Sequence, residues 1–399
     1  MQQQRTRGAE EQNAPTSHHH GTARVRVLIV APSIEFLGGQ AVQATRLHAR
    51  LAAEPSLDVS LLPVNPPFPR LFRRWQAIKG IRSIRSTFLY WLTLLKHVRH
   101  YDVIHIFSAS YWSFLIAPVP ALFVAKLYGK KTLLNYHSGE AADHLQRWRT
   151  ALPLLRRADM IAVPSGYLVD VFARFQLSAR SVYNLVETDH FVFRPRRPLR
   201  PIFLSNRNFE PHYNVSCVLR AFAQIQRRFP DASLILAGGG SQRSELESLA
   251  RELGLRQTKF LGRIAPEQAN QLYDGADIYL NGSNIDNMPL SILEAYSAGL
   301  PVVTTDAGGI PYIVKHEETG LLVSRNDPDA MAAAAIRLLE DEELAARLAQ
   351  QAHHECRKYE WAILRRQWLN LYAELAHDAP AHERNSLMVD NKATPAGKP

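Results

Sequence analysis

Residues 281–314 read NGSNIDNMPLSILEAYSAGLPVVTTDAGGIPYIV, and this stretch decides the fold. DIYLNGS (277–283) is a short apolar run of strand type, after which comes a polar loop. Pro289 stands where a helix would begin, a favoured first position. Gly299 then closes that helix, and PVVTTD (301–306) begins a new buried strand. The loop 284–289 would deliver backbone N–H groups and the positive end of a helix dipole to one point, an anion site suited to a diphosphate. Asp286 lies in that loop and Glu294 about one and a half turns into the helix, so the two carboxylates can reach different parts of one ligand. Taken alone, such a pair reads as a loop carboxylate and a solvated helix glutamate. Here Gly308-Gly309 follow the next strand and add a second close-approach loop at the same sheet edge.

Working outward, the same β-α rhythm fills the chain. RVRVLIV (24–30), DVSLLPV (58–64), DVIHIF (102–107), KTLLNYH (131–137) and MIAVPS (160–165) read as buried parallel strands with helices between them. PRRPLRP (195–201) is a Pro/Arg-rich breaker and the natural domain boundary. The rhythm restarts with PIFLSNR (201–207), SLILAGG (233–239), TKFLG (258–262), the two strands above, and GLLVS (320–324). DPDAMAAAAIRLLEDEELAARLAQQAHHECRKY reads as one long Ala-rich helical stretch. The expectation is a disordered tail over 1–23, an N-terminal α/β domain over 24–194, a second over 195–376, and another tail over 377–399. A ligand would sit between the two, at the carboxyl ends of the strands. Tyr111–Tyr128 is apolar, but two prolines and a lysine make it a buried crossover helix and not a membrane span.

At 399 residues the chain exceeds what one core usually supports, which fits two domains. An apolar share of 46% and a charged share of 21% exclude disordered, collagenous and coiled-coil classes. Cys217 and Cys356 suggest neither a disulfide scaffold nor a zinc site, so a reducing cytosol is expected. No apolar signal segment stands at the N-terminus, and His18-His19-His20 belongs to a bland tail. Residues 1–200 hold 27 Lys/Arg against 12 Asp/Glu, whereas the remainder holds 20 against 25. The basic half wants an anionic partner. Between Asp58 and Asp102 there is no acidic residue at all.

With these residues in hand, the chain resembles the retaining glycosyltransferases of family four, which have the GT-B fold of two facing Rossmann-like domains. The resemblance runs from about Arg24 to Tyr372 and rests on DNMPLSILEAYSAGLPVVTTDAGGIP, where the family's Glu-x7-Glu appears as Asp286 and Glu294. It implies that Asp286 touches the donor sugar and Glu294 the nucleotide ribose. The backbone of Asn287, Met288, Pro289 and Leu290 would surround sugar and phosphate, although Pro289 has no N–H to give. It further places Gly38 and Gly39 against the donor phosphate, His137 near the reaction centre, ADMIAVPS (158–165) before the interdomain linker, Asn184 as the Asn preceding the family's D…F.P stretch, and Gly238, Gly239, Gly240 and Gly262 in nucleotide-binding loops. The family's Arg is Arg207, while its Lys five residues later falls on His212 or Tyr213. Losing that cation weakens leaving-group stabilisation unless another base substitutes.

The implied reaction moves a hexose-type sugar from a nucleotide-diphosphate sugar to a hydroxyl with retention, without metal or cofactor. Helix dipoles and Arg207 carry the developing charge, and the leaving phosphate helps deprotonate the acceptor. In residues 69–100, Leu71, Trp75, Ile78, Ile81, Ile84, Phe88, Leu92 and Leu95 recur at helical spacing, flanked by basic residues. This stripe either packs into the first domain or lies on an anionic membrane surface. The second reading points to a lipid-linked saccharide acceptor, surface or exported polysaccharide, and a peripheral place on the inner face of the cytoplasmic membrane. The rival readings are a GT-B-fold epimerase, a catalytically weakened scaffold and, from the pI, a nucleic-acid binder. The last lacks any recognised module, and the C-terminal half is acidic, so no nucleic-acid partner is expected. His105 reads as a core residue.

Overall fold

The computed structural model describes residues 24–33, 39–65, 79–265 and 268–377. They form two six-stranded sheets, each wholly parallel and each covered by helices. The first contains β1 (Val25–Ala31), β2 (Leu57–Pro63), β3 (Val103–Ser108), β4 (Lys131–Tyr136), β5 (Met160–Val163) and β6 (Arg180–Ser181), in the order β2-β1-β3-β4-β5-β6. The second contains β7 (Ile202–Asn206), β8 (Ser233–Ala237), β9 (Thr258–Gly262), β10 (Ile278–Asn281), β11 (Val302–Thr305) and β12 (Leu321–Val323), in the order β12-β11-β10-β7-β8-β9. Each order reverses once, between β1 and β3 and between β7 and β10. Such a switch point opens a crevice at the carboxyl ends of its two strands, which is where ligands bind.

Alternation places the cores. In β1, Val27 and Ile29 face one layer, and Leu28 and Val30 face the other, all buried. In the second sheet, Phe203, Leu234 and Ile278 face the helix Val215–Arg228, while Leu204, Tyr279 and Val302 face the helix Leu290–Ala298. The helix Trp361–His377 belongs to the first of these bodies, not the second. Its Leu364, Trp368, Leu371 and Tyr372 pack with Val27, Ile29, Val103 and Phe107. Tyr372 Oη lies 2.8 Å from His105 Nδ1, and Arg365 grips Glu54 with two bonds of 2.7 Å. The domain expected over 195–376 therefore gives its last helix back to the first sheet, because that sheet's outer layer needs an apolar cover.

Two further expectations are revised. The Ala-rich stretch is two helices, Pro328–Glu340 and Glu342–Cys356, parted where Asp341 turns to accept the Leu344 N–H at 2.9 Å. Tyr111–Tyr128 is likewise two helices, Tyr111–Ile116 and Pro118–Leu127, and only one face is buried. Trp112, Ile116, Phe123 and Leu127 face outwards. Residues 69–78 of the basic stretch lie outside the described residues. In the helix Lys79–His97, Tyr90 and Leu94 enter the core and Leu95 packs against it, but Phe88 and Leu92 of the stripe are 62% and 48% exposed. Among the described residues no helix is long and apolar enough to cross a membrane.

Candidate active site

The carboxyl edges of the two sheets face each other across a cleft of about 540 Å³, and both switch points open into it. From the second sheet, β7 ends at Asn206 and hands Arg207 to the cleft, while β10 ends at Asn281 and leads into the loop 282–289. That loop is held on every side. The Asn284 and Ile285 N–H groups donate to the His212 carbonyl at 2.8 and 3.2 Å, and Gly309 N–H donates to the Asp286 carbonyl at 3.0 Å. The glycine pair is a steric requirement: a Cβ at Gly308 would lie 2.2 Å from the Asp286 oxygen, and one at Gly309 2.0 Å from that of Asn287. Pro289 is the residue before the helix Leu290–Ala298 and not its first, with ψ of 113°. Gly299, at φ 79°, closes the helix as the sequence predicts.

Arg207 Nη2 donates to Asp286 Oδ2, and both side chains are 11% exposed. Burial, the largest single influence, lowers the guanidinium's pKa, but Asp286 together with Tyr213, Tyr279 and Tyr273 outweighs it and holds Arg207 above its ordinary value. The guanidinium also lies 4.0 Å over the Tyr213 ring. Glu294 accepts the Tyr273 hydroxyl at 2.8 Å, and burial raises its pKa. His137 follows β4, stacks on Phe107 with centroids 5.0 Å apart, and has no partner for its buried Nε2. Burial lowers its pKa to about 3, so near neutrality it is an uncharged imidazole with one nitrogen free for a ligand.

The expected residues thus meet at one cleft, with distinctions. Gly39, His137, Asn184, Arg207, His212, Tyr213, Asp286, Asn287, Met288, Pro289, Leu290 and Glu294 all line it. Gly38 lies outside the described residues. Gly238 lines the cleft, whereas Gly239 sits beside Arg263 and gives its carbonyl to the Phe209 N–H at 3.0 Å. The side chains of Asn287 and Met288 are taken up in binding the two domains. Ser165 Oγ donates to Asn287 Oδ1, and the Asn184 N–H meets Met288 Sδ at 3.4 Å. His105 is fully buried, as expected for a core residue.

Two arginines of the cleft were not anticipated. Arg46 lines it from the helix Gly39–Ala52, three residues after Gln43 on the same face, and pairs with Glu187 at 2.9 Å. Arg263 follows β9 just as Arg207 follows β7, and among the described residues it makes no ion pair. The strand-end position was the signal that could have found it. Two of the three cleft arginines form ion pairs with carboxylates, whereas the charge of Arg263 only helps lower the pKa of Glu210.

Comparison with known proteins agrees with this architecture. Residues 37–190 match the Glycosyltransferase Family 4 model and residues 188–355 that of Glycosyl transferases group 1, so the two together span the cleft. The D-inositol 3-phosphate glycosyltransferase of Corynebacterium urealyticum is 35% identical over 40% of this chain and 39% of its own length. A GDP-mannose-dependent phosphatidylinositol monomannoside mannosyltransferase of Mycolicibacterium smegmatis is 29% identical over 57% of this chain and 64% of its own. The chain therefore spans less than two thirds of either curated relative. Anabaena HepE, solved with UDP-glucose, superposes with a TM-score of 0.70 at 19% identity, covering 88% of this chain and all of that one. Sucrose-phosphate synthase of Thermosynechococcus elongatus gives 0.70 at 21%, covering 88% and 99%. With both domains matched and two facing Rossmann-like sheets around one cleft, the chain belongs to the family-four, group 1 glycosyltransferases of GT-B fold.

Proposed function

We propose that this protein moves a hexose-type sugar from a nucleotide-diphosphate sugar to a hydroxyl of a saccharide or lipid-linked acceptor, keeping the anomeric configuration and using no metal. The observation that carries the reading is the buried Arg207–Asp286 pair at the mouth of the helix Leu290–Ala298, with Glu294 and His137 on the same cleft. The diphosphate takes the place opposite Arg207 and the helix N-terminus, where positive charge is already fixed as the leaving group gains negative charge. Asp286 holds sugar hydroxyls, Glu294 the ribose, and the neutral His137 offers its free nitrogen to the sugar. The leaving phosphate assists removal of the acceptor proton, so no separate base is assigned.

The acceptor side is read from the first domain. Phe88, Leu92, Ile116, Phe123 and Leu127 are exposed on helices that share one layer, in a half of the chain rich in Lys and Arg. Exposed apolar side chains in a basic half of the chain suit the inner face of an anionic bilayer, which supports a lipid-linked acceptor and a part in surface or exported polysaccharide synthesis. The mycobacterial relative's name, with its phosphatidylinositol-linked substrate, supports the same direction.

The test is donor turnover followed by proton NMR with UDP-, GDP- and ADP-hexoses. Water slowly replaces the acceptor, and the first sugar released is expected to keep the donor's anomeric configuration. Release of the opposite anomer would sink the retaining reading. Epimerised nucleotide sugar in place of free sugar would favour an epimerase.

A further inference from the structure

At the carboxyl edge of the first sheet, beside the cleft, β3 and β4 lead into two short segments that carry large aromatic rings. Tyr111 and Trp112 open the helix Tyr111–Ile116, and Trp148 follows the helix Ala141–Arg147. The Trp112 and Trp148 rings meet edge to face with centroids 5.4 Å apart, and Tyr111 and Trp148 do so at 5.8 Å. Trp112 is 69% exposed, although an indole gains by burial.

The arrangement is held in place. Tyr111 has a φ of 57°, a left-handed conformation that a bulky residue rarely adopts and that clusters at functional sites. Its hydroxyl donates to Asp143, whose other oxygen takes Arg147 Nε at 2.8 Å. Beneath the rings lies His144, fully buried, 5.1 Å from Tyr111 and 5.7 Å from Trp148. Its Nδ1 lies 2.7 Å from Tyr136 Oη, itself 2.8 Å from Ser110 Oγ, while its Nε2 has no partner. The group also joins the cleft: Glu140 lines the cleft and accepts the His144 N–H through its carbonyl at 2.9 Å.

A pyranose has an apolar face of C–H bonds and a polar rim of hydroxyls. The negative π-face of an indole suits the first, and carboxylates accept from the second. Aromatic rings beside two carboxylates therefore match a sugar. Arg147 neutralises Asp143, which leaves the Glu140 carboxylate at the cleft to accept from a hydroxyl. We propose that Trp112 and Trp148, with Tyr111 and the carboxylates of Glu140 and Asp143, form the platform on which a pyranose of the acceptor stacks. This rests on the glycosyl-transfer reading, since the platform opens beside the proposed donor site.

The experiment is saturation-transfer NMR on the full chain with UDP and a panel of soluble saccharides: methyl glucoside, methyl galactoside, methyl N-acetylglucosaminide, maltose and cellobiose. Saturation should reach the ring C–H protons of at least one of them. It should fall at least 5-fold in Trp112→Ala, an exposed position that leaves the core intact, and in part in Trp148→Phe, with the UDP signal unchanged. No transfer to any saccharide, or transfer untouched by Trp112→Ala, overturns the platform. So does loss of co-sedimentation with phosphatidylglycerol vesicles in Trp112→Ala alongside intact sugar signals. A wild-type protein that shows saccharide but no UDP signal overturns the donor site and leaves the platform standing.

Discussion

Arg207 and Asp286 form a nearly water-free ion pair in a cleft read as a binding site for an anion with two further charges. Such a pair stabilises little by itself, because burying both charges consumes most of their attraction, but removing one partner strands the other. Arg207→Ala should cut kcat by about 10²–10³ if the guanidinium faces the leaving group. Arg263 carries a separate expectation. A charge-assisted hydrogen bond contributes about 1.5–3 kcal/mol, so Arg263→Ala should raise the donor KM by roughly 10- to 100-fold with kcat little changed. Steady-state kinetics that show no KM change would remove Arg263 from the donor site. The contrast between these arginines also marks what a sequence makes legible. Arg207 stands in a recognisable context, and its gap five residues on was visible as His212 or Tyr213. Arg263 instead follows β9, and its strand-end position in KFLGRI is a local signal, but nothing local shows that β9 reaches β7 through β8.

At the scale of elements, the glycine pair and the closing helix make opposite kinds of demand. A methyl at Gly309 would collide with backbone, which cannot swing aside as a side-chain tip can. Gly309→Ala should lower stability by about 1–3 kcal/mol, read as a drop in melting temperature, and reduce turnover further by shifting Asp286. A variant with unchanged melting and turnover would contradict the packing of these loops. The helix Trp361–His377 is tied to β3 through Tyr372 and His105. Tyr372→Phe leaves the buried His105 Nδ1 without its partner and should cost about 1–3 kcal/mol, seen in denaturant unfolding. Most strands could be read from sequence because buried parallel strands are continuous apolar runs. β6 is two residues long, Arg180–Ser181, and offered no run to read. The placement of the last helix was equally hidden, since its amphipathic pattern says that it covers a sheet without saying which one.

For the whole molecule, His105 and His144 are fully buried, and burial lowers their pKa values to about 3 and about 4. The unfolded chain holds these protons below about pH 6.5, whereas the folded one refuses them. Their contribution to stability is therefore present above that pH and is lost as pH falls towards the folded values. Between pH 6.5 and 5, above the main carboxylate range, each such group removes up to about 1.4 kcal/mol per pH unit. Melting temperatures should fall across that window, with a shallower slope in His105→Asn. An equal slope in the variant would contradict the assignment. The charge division of the chain was legible from composition, and it predicts a basic acceptor domain against a more acidic donor domain. A ligand site between the domains followed from the two β-α rhythms, but only the family resemblance put Gly39 and residues 286–294 on one ligand, because no local pattern brings them together.

The central claim is that this cleft holds a nucleotide-diphosphate sugar, and a thermal-shift screen tests it most directly. UDP, GDP, ADP and their hexose conjugates would be compared on wild type and on Glu294→Ala. The account predicts a rise in melting temperature for one nucleotide family in the wild type, absent in the variant, because Glu294 would hold the ribose. No rise for any nucleotide with both proteins folded, or an equal rise in both, would contradict it.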